Sequence, residues 1–272
     1  MKSIKRLLGL GDNVLDHYLY QKKMYPGGNA LNVAVLSHKF GINSSYLGVL
    51  GNDKGGRHLL EVLKKEGIEI SHIRVENGNN SYSKITLIDN DRVFMGSDLA
   101  LSATLKLNKD DFDYIKNFDI IHTSIYSNLE YELKKIKENG SKISFDFSDE
   151  FDNNYIEKVL PYIEYAFFSG SQMSEENIYK LLDKSEKNGV LLSIVTKGKE
   201  GAFCKVNGKI YRQNIFPVES VIDTLGAGDA FIARVLAGII TQEEVEVFLK
   251  EAAKEAANNC TWYGAFGYGV SI

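Results

Sequence analysis

The chain has 272 residues, 44% hydrophobic and 25% charged, which is long enough to bury the core of one large α/β domain. A net charge of −4 and the lack of a long basic run argue against nucleic acid as the main partner. The two cysteines, Cys204 and Cys260, are far apart and have no nearby histidines, which argues against a disulfide framework or a zinc site. No stretch approaches ~18 uninterrupted apolar residues, and the apolar run after Arg6 is too short for a signal peptide. We therefore expect a cytoplasmic protein with no membrane partner.

The N-terminal segment combines a buried strand with polar residues at its end. Residues 7–11 are predicted to form this strand. Ligands collect at the carboxyl ends of parallel strands, so Asp12, Asn13 and Asp16 are candidates for binding, although Asp16 equally suits a turn. Residues 17–25 lack helical periodicity and are predicted to form a half-exposed strand that leaves the main sheet.

A glycine pair, Gly27 and Gly28, opens the first predicted helix, which is strongly apolar. Asn32 is a polar residue on this helix, and it either bonds to the backbone or contacts ligand hydroxyls. The elements predicted next are a strand at 46–50, a helix at 53–66, a short strand at 73–76, and a hairpin formed by 82–88 and 92–95. We expect this hairpin to pair with the strand at 17–25 in a small sheet that stands off the main body.

From residue 120 onwards strands alternate with helices. Strands are predicted at 120–125, 142–147, 165–168 and 191–196, and helices at 129–139, 154–160, 175–188, 227–240 and 243–258. A further hairpin is predicted at 203–212, where Asn207-Gly208 indicates a type I′ turn. This alternation predicts an α/β fold with a mostly parallel sheet covered by helices on both faces.

The stretch from Asp223 to Asp229 has the strongest functional pattern. It follows an apolar, strand-like segment, and Gly226 and Gly228 precede an apolar helix, so backbone N–H groups and the helix dipole can bind an anion. A carboxylate at Asp229 would repel that anion, unless it accepts a proton from a hydroxyl that attacks a phosphoryl group. The alternative is an ordinary strand-to-helix turn in which Asp229 only favours the helix dipole.

Four motifs together resemble the PfkB (ribokinase-like) family of small-molecule kinases, over nearly the full length of the chain. They are the sequence 223–229, the glycine-pair sequence 27–32, Asp16 after the first strand, and the sequence 196–201. The resemblance implies a three-layer α/β sandwich with a mostly parallel central sheet and a small β lid. It implies a single kinase domain over 1–272, with lid strands at about 16–25 and 82–95. No Walker A motif is present, because Gly51 to Gly56 is followed by Arg57 instead of lysine.

The resemblance also implies roles for individual residues. Asp229 would be the general base, and the backbone N–H groups of Gly226, Ala227 and Gly228 would face the transferred phosphoryl group. The lid would exclude water and serve as a homodimer interface, and the cofactors would be ATP, Mg²⁺ and a K⁺ ion near Asp223. The sugar would be held by Asp12, Asn13, Asp16, Gly27, Gly28 and Asn32, and the nucleotide by Thr196, Lys197, Gly198, Gly201 and Asn258.

One departure from the family pattern lies on the nucleotide side. The family commonly carries Asn-x-x-Glu where this chain has Ser169 and Gln172, which are neutral. We assign both to nucleotide binding and expect them to hold the water shell of Mg²⁺ more weakly than a carboxylate would.

A narrower resemblance concerns the substrate. The sequences 11–13, 89–94, 145–149 and 263–265 are similar to a subgroup that phosphorylates the 6-hydroxyl of fructosyl-amino acids, which implies fructoselysine as the acceptor. Arg92 would bind the substrate carboxylate, or it is a solvated hairpin residue. Asp146 and Asp149 can meet a substrate ammonium or hydroxyl, and Asp149 equally suits a helix cap. The alternatives are a kinase for another ketose, ribose or a nucleoside, and a non-catalytic sugar or nucleotide sensor.

Overall fold

The computed structural model describes residues 5–88 and 91–272, without the side chains of Ile88, Asp91 and Arg92. The strands are β1 (Arg6–Leu10), β2 (Val14–Tyr18), β3 (Lys23–Gly27), β4 (Asn43–Leu47), β5 (Val49–Gly51), β6 (Arg74–Glu76), β7 (Tyr82–Ile88), β8 (Asp91–Asp98), β9 (Ile120–Ser124), β10 (Lys142–Asp146), β11 (Tyr165–Ser169), β12 (Leu192–Thr196), β13 (Ala202–Val206), β14 (Lys209–Gln213) and β15 (Val270–Ser271). The α-helices are α1 (Asn29–Lys39), α2 (Lys54–Lys65), α3 (Lys109–Ile115), α4 (Leu133–Glu138), α5 (Asn153–Val159), α6 (Glu175–Lys187), α7 (Ala227–Thr241) and α8 (Val245–Asn259).

The main sheet has eight strands in the order β14-β13-β12-β11-β10-β9-β1-β4. The six strands from β12 to β4 pair in parallel, and β13 and β14 add an antiparallel hairpin at one edge. Asn207 and Gly208 join that hairpin with φ values of 51° and 74°, as a type I′ turn requires. The predicted mostly parallel sheet and its edge hairpin are confirmed.

Helices cover both faces of this sheet. Successive side chains of a strand point to opposite faces, so Leu7 packs in one core cluster while Leu8 and Leu10 pack in the other. The first cluster takes its helical residues from α1, α2, α7 and α8, and the second from α3, α4, α5 and α6. The result is the predicted three-layer sandwich. Among the described residues no helix is both long and apolar enough to cross a membrane.

A second sheet of five strands, in the order β15-β3-β2-β7-β8, contains the two segments expected to form a lid and is called the lid sheet below. It joins the two segments predicted to pair, since β2 runs parallel to β7. The segment predicted as one strand at 17–25 is instead two antiparallel strands, β2 and β3, because Lys22 has a φ of 53° and its N–H bonds back to the Leu19 carbonyl. Strand β15 was not predicted, because its two residues pair only with a distant strand.

Other differences are local. The strand predicted at 46–50 is divided at Gly48 into β4 and β5, which belong to different sheets. Helix α3 was not predicted. The apolar residues before the 223–229 motif do not form a strand: Val221 and Ile222 are 60% and 46% exposed, and the Ile222 N–H bonds to the Cys260 carbonyl. Cys204 and Cys260 are both free thiols.

Candidate active site

The N-terminus of α7 has the features of an anion site. Gly226 precedes the helix with a φ of 83°, and no side chain caps this end. A Cβ atom at Gly226 would lie 2.5 Å from the Cα of Ala265, so this position needs glycine for both conformation and space. A Cβ atom at Gly228 would have no neighbour within 4 Å. The first turn of α7 therefore borders open space, where the N–H groups of Gly228 and Asp229 can bind an anion, whereas the Ala227 N–H donates to the Thr224 carbonyl over 3.3 Å.

Two amides from α1 hold the carboxylate of Asp229. Asn29 Nδ2 donates to Asp229 Oδ1 over 2.7 Å, and Asn32 Nδ2 donates to Oδ2, also over 2.7 Å. Residues three apart lie on the same face of a helix, so α1 presents both amides to α7, against which it packs. Asn32 thus binds the predicted base and not the helix backbone. Its Oδ1 atom is buried without a hydrogen-bond partner among the described residues.

The environment of Asp229 suits a general base. Burial raises the pKa of its carboxyl to about 6, and the two amide donors oppose that rise because they favour the charged form. A base whose pKa lies about one unit below neutral pH is mostly ionised and can still accept a proton. These properties favour a catalytic role for Asp229 over that of a simple helix-dipole partner.

Two further groups converge on Asn29. Its Nδ2 also donates to Asp146 Oδ2 over 2.9 Å, and its Oδ1 accepts from His122 Nε2 over 2.8 Å. Burial raises the pKa of Asp146 to about 7, helped by the charges of Asp229 and Asp12. Burial lowers the pKa of His122 to about 3, so its ring is neutral.

Neither Asn29 nor His122 was predicted from the sequence as a site residue. The one available signal was the spacing of Asn29 and Asn32 on α1. Asp149 does not cap the helix that follows, because Asp152 caps α5 by accepting from the Tyr155 N–H.

The glycine pair brings the sugar-side residues together. Gly28 has a φ of 102°, and a Cβ there would lie 2.4 Å from the Cα of Asn13. A Cβ at Gly27 would lie 2.2 Å from Asp16 Oδ2. The N-terminus of α1 can therefore approach the loop after β1 and the middle of β2, where Asp12 and Asp16 are buried.

Asp12 and Asn13 are held differently. Asp12 Oδ1 accepts from the hydroxyls of Ser124 and Ser127, each over 2.8 Å. Asn13 Nδ2 donates to the Tyr46 hydroxyl and the Val49 carbonyl, and its Oδ1 accepts from Asn80. The Asn13 side chain thus stabilises the loop between β1 and β2, and its contact with substrate stays a prediction.

The residues predicted to bind nucleotide lie at the ends of neighbouring strands. Ser169 and Thr196 are register partners at the ends of β11 and β12. The turn that follows β12 closes with a 2.7 Å bond from the Lys197 N–H to the Gly201 carbonyl and includes Gly198, and the Lys197 ammonium pairs with Glu200. Gln172 is exposed in the turn after β11.

A cavity of about 500 Å³ lies beside the end of α8. Its lining includes apolar Phe216, Pro217 and Ile222 together with Asn258. The next residue, Asn259, lies against Gly226, with its Oδ1 atom 3.3 Å from the position of a Cβ there. The lining of the cavity thus ends one residue away from a side chain that contacts the start of α7. Another cavity, of about 510 Å³ between α5 and α6, is lined by none of the predicted site residues.

Asp223 connects the lid sheet to this site. Its carboxylate accepts from the Tyr18 hydroxyl of β2 and from the N–H groups of Leu225 and Gly264. Arg92 lies on β8, but its predicted contact involves a side chain outside the described part of the structure. No three histidine, cysteine or acidic side chains among the described residues are close enough to form a metal centre.

The comparisons with known proteins agree with this geometry. The model of the pfkB family of carbohydrate kinases matches residues 12–266. The chain is 41% identical to fructosamine kinase FrlD of Bacillus subtilis, over 97% of this chain and 94% of that one. It is 32% identical to fructoselysine 6-kinase of Escherichia coli, over 97% of this chain and 100% of that one.

Solved structures share the fold. An Arabidopsis thaliana ribokinase complexed with ribose and ATP superposes with a TM-score of 0.81 at 20% identity, covering 97% of this chain and 95% of that one. A putative ribokinase II from Escherichia coli in complex with ATP and Mg²⁺ also gives a TM-score of 0.81, at 20% identity, covering 96% and 94%. The fold is thus ribokinase-like, and the chain belongs to the pfkB family of carbohydrate kinases.

Proposed function

We propose that this kinase transfers the γ-phosphoryl group of ATP to the 6-hydroxyl of a fructosamine, specifically fructoselysine. The observation that carries the proposal is the carboxylate of Asp229, held by two amides beside an uncapped helix N-terminus. The names of the two similar relatives support the acceptor, since both cover nearly the whole of this chain.

In the proposed reaction, Asp16, Gly27, Gly28 and Asn32 position the sugar, with its 6-hydroxyl at Asp229. The carboxylate accepts the hydroxyl proton as the new O–P bond forms and the bond to the leaving ADP oxygen breaks. The N–H groups at the start of α7 stabilise the negative charge on the transferred group. Closure of the lid sheet would exclude water and prevent ATP hydrolysis.

We assign the adenine to the 500 Å³ cavity, because a lining that mixes apolar side chains with polar ones such as Asn258, Glu219 and Lys254 suits a flat, partly polar ring. The triphosphate would run past Ser169, Thr196 and the Lys197–Gly201 turn to α7. Gly228 leaves the room that a phosphoryl group needs. Mutation of Asn258 should raise the KM for ATP and leave the KM for the sugar unchanged.

Bound Mg²⁺ would offset the negative charge of the phosphates. Ser169 and Gln172 would contact its water shell, since no three histidine, cysteine or acidic side chains among the described residues are placed to hold the ion directly. We further propose a K⁺ ion near Asp223, although three donors already engage its carboxylate. Turnover in KCl compared with choline chloride tests the K⁺ ion.

We also propose that residues 1–272 act as one cytoplasmic kinase domain that dimerises through the lid sheet. Its edge strand β8 carries Phe94 and Met95, which are 58% and 56% exposed, and such an edge is suited to pairing with a second copy. Sedimentation of the wild type and of Met95→Glu tests the dimer, which the added charge should dissociate.

A coupled ADP-release assay over several acceptors tests the function. Fructoselysine should give a kcat/KM at least tenfold above that of fructose, ribose and adenosine. Equal or faster turnover of another ketose, ribose or a nucleoside would replace the proposed acceptor. Binding of sugar and nucleotide with no phosphoryl transfer in Mg²⁺ would instead support a non-catalytic sensor.

A further inference from the structure

We propose that Asn29 is a positioning residue for phosphoryl transfer, and that the buried ring of His122 fixes its amide so that it holds the carboxylate of Asp229. The inference rests on the proposed role of Asp229 as the base.

The hydrogen bonds around Asn29 allow only one orientation of its amide. Two carboxyl groups, Asp229 and Asp146, accept from Nδ2, and that of Asp229, which is mostly ionised at neutral pH, cannot donate. The NH₂ group must therefore face them, which directs Oδ1 to His122.

That orientation in turn determines the state of the histidine. Asn29 Oδ1 needs a donor, so His122 Nε2 carries the proton at 2.8 Å. His122 Nδ1 is then an acceptor, and it lies 2.9 Å from the hydroxyl of Ser144, which donates to it. Both His122 and Ser144 are fully buried, so neither side chain has water as an alternative partner. The result is a continuous chain from Ser144 on β10 through His122 on β9 and Asn29 on α1 to Asp229 on α7.

This chain affects the chemistry because the base is partly buried among other acidic groups. Asp12 follows β1, and its negative charge raises the pKa of Asp229, while the charge of Asp229 in turn raises the pKa of Asp146 at the end of β10. The ring of His122 is neutral and offers no compensating charge. The amide donors from Asn29 and Asn32 are thus what keeps Asp229 ionised and directed at the substrate. Without Asn29, one carboxylate oxygen loses its donor and the base becomes harder to ionise.

The test follows the ionisation of Asp229 directly, by ¹³C NMR of protein labelled at its aspartate carboxyl groups. Asp229→Asn and Asp146→Asn identify the two resonances, which titrate in overlapping ranges. In Asn29→Leu the Asp229 midpoint should rise by about one pH unit, because one charge-assisted hydrogen bond is lost. His122→Leu should move it in the same direction by a smaller amount. His122→Gln retains an N–H donor and is the matched control, so its midpoint should stay within about 0.2 pH unit of the wild type.

The double variant Asn29→Leu/His122→Leu separates positioning from a general packing effect. If His122 acts through Asn29, the double variant titrates as Asn29→Leu alone does. An unchanged midpoint in folded Asn29→Leu, or additive shifts in the double variant, would overturn the proposal. If thermal melting shows that Asn29→Leu is not folded, Asn29→Ser takes its place and should shift the titration midpoint of Asp229 in the same direction.

The NMR result does not depend on the acceptor or on turnover. With fructoselysine, kcat of Asn29→Leu should fall about 10- to 100-fold while both KM values stay within about threefold. If the wild-type protein showed no kinase activity, the proposed function would be refuted, but the titration of Asp229 could still be interpreted.

Discussion

The same substitution, Gly→Ala, at Gly208, Gly226 and Gly228 separates the conformational and steric requirements at the start of α7. Gly208 has a φ of 74°, and a Cβ atom there would have no neighbour within 4 Å, so it measures the conformational cost alone. Gly226 has a φ of 83° and would also place its Cβ 2.5 Å from Ala265. Gly228 has neither a positive φ nor a neighbour within 4 Å.

The magnitudes follow from these differences. Gly208→Ala should lower the free energy of unfolding by about 1 kcal/mol, the cost of the left-handed region for a residue with a Cβ. Gly226→Ala adds the displacement of a packed backbone, so the loss should reach about 2–4 kcal/mol. Gly228→Ala should remain within about 0.5 kcal/mol of the wild type, since alanine is well accepted in a helix. Its methyl group enters the space assigned to the phosphoryl group, so its kcat/KM should fall at least about tenfold.

Urea unfolding gives the free energies, and the coupled ADP-release assay gives kcat and KM. Gly208→Ala should retain wild-type turnover because its hairpin is remote from the motif. Wild-type activity in Gly228→Ala would refute the assignment of the anion site. A free energy for Gly226→Ala no lower than that for Gly208→Ala would refute the argument about Ala265.

Three further predictions concern ionisation, metal and the lid. Because burial raises the pKa of Asp229 to about 6 and the base must be ionised, log(kcat/KM) should be level above pH 7 and fall with unit slope below about pH 6. If Asn29→Leu left the acidic part of this pH profile unchanged, the assignment of the profile to Asp229 would be contradicted. Removal of Mg²⁺ with EDTA should abolish turnover, and added Mg²⁺ should restore it, whereas activity in EDTA would exclude a metal requirement. Tyr18→Phe removes a donor from buried Asp223 and should lower the free energy of unfolding by about 1–3 kcal/mol. The control Tyr20→Phe, at a residue that is 40% exposed, should change it by less than about 0.5 kcal/mol. Equal losses for the two variants in urea unfolding would refute the role of the Tyr18–Asp223 hydrogen bond.

The predictable parts of the candidate site are those formed by residues that are adjacent in the sequence. Gly226 to Asp229 encode a helix start, an anion site and a carboxylate within four positions, and Gly27 and Gly28 mark the other helix start. The alternation of strands and helices was equally local, so the layered sheet could be predicted from it. These features need only short-range geometry.

The support for the base could not be predicted in this way. His122 lies in an apolar strand, where a buried core histidine would show the same pattern, and Asp146 ends the next strand in the sheet. Their approach to Asn29 depends on how α1 crosses the sheet, which no short sequence window contains. Val221 and Ile222 illustrate a different limit of local patterns. These apolar residues were predicted to be strand-like, but they are exposed and pair with no strand among the described residues.

The most direct test of the central claim compares the wild type with Asp229→Asn in a rapid-quench measurement of phosphoryl transfer to fructoselysine. Calorimetry on both proteins gives the dissociation constants for the sugar and for a non-hydrolysable ATP analogue. If Asp229 is the base, the transfer rate should fall by about 10²–10⁴-fold while both dissociation constants change by less than about fivefold. Transfer at a rate within tenfold of the wild type would show that another group accepts the proton.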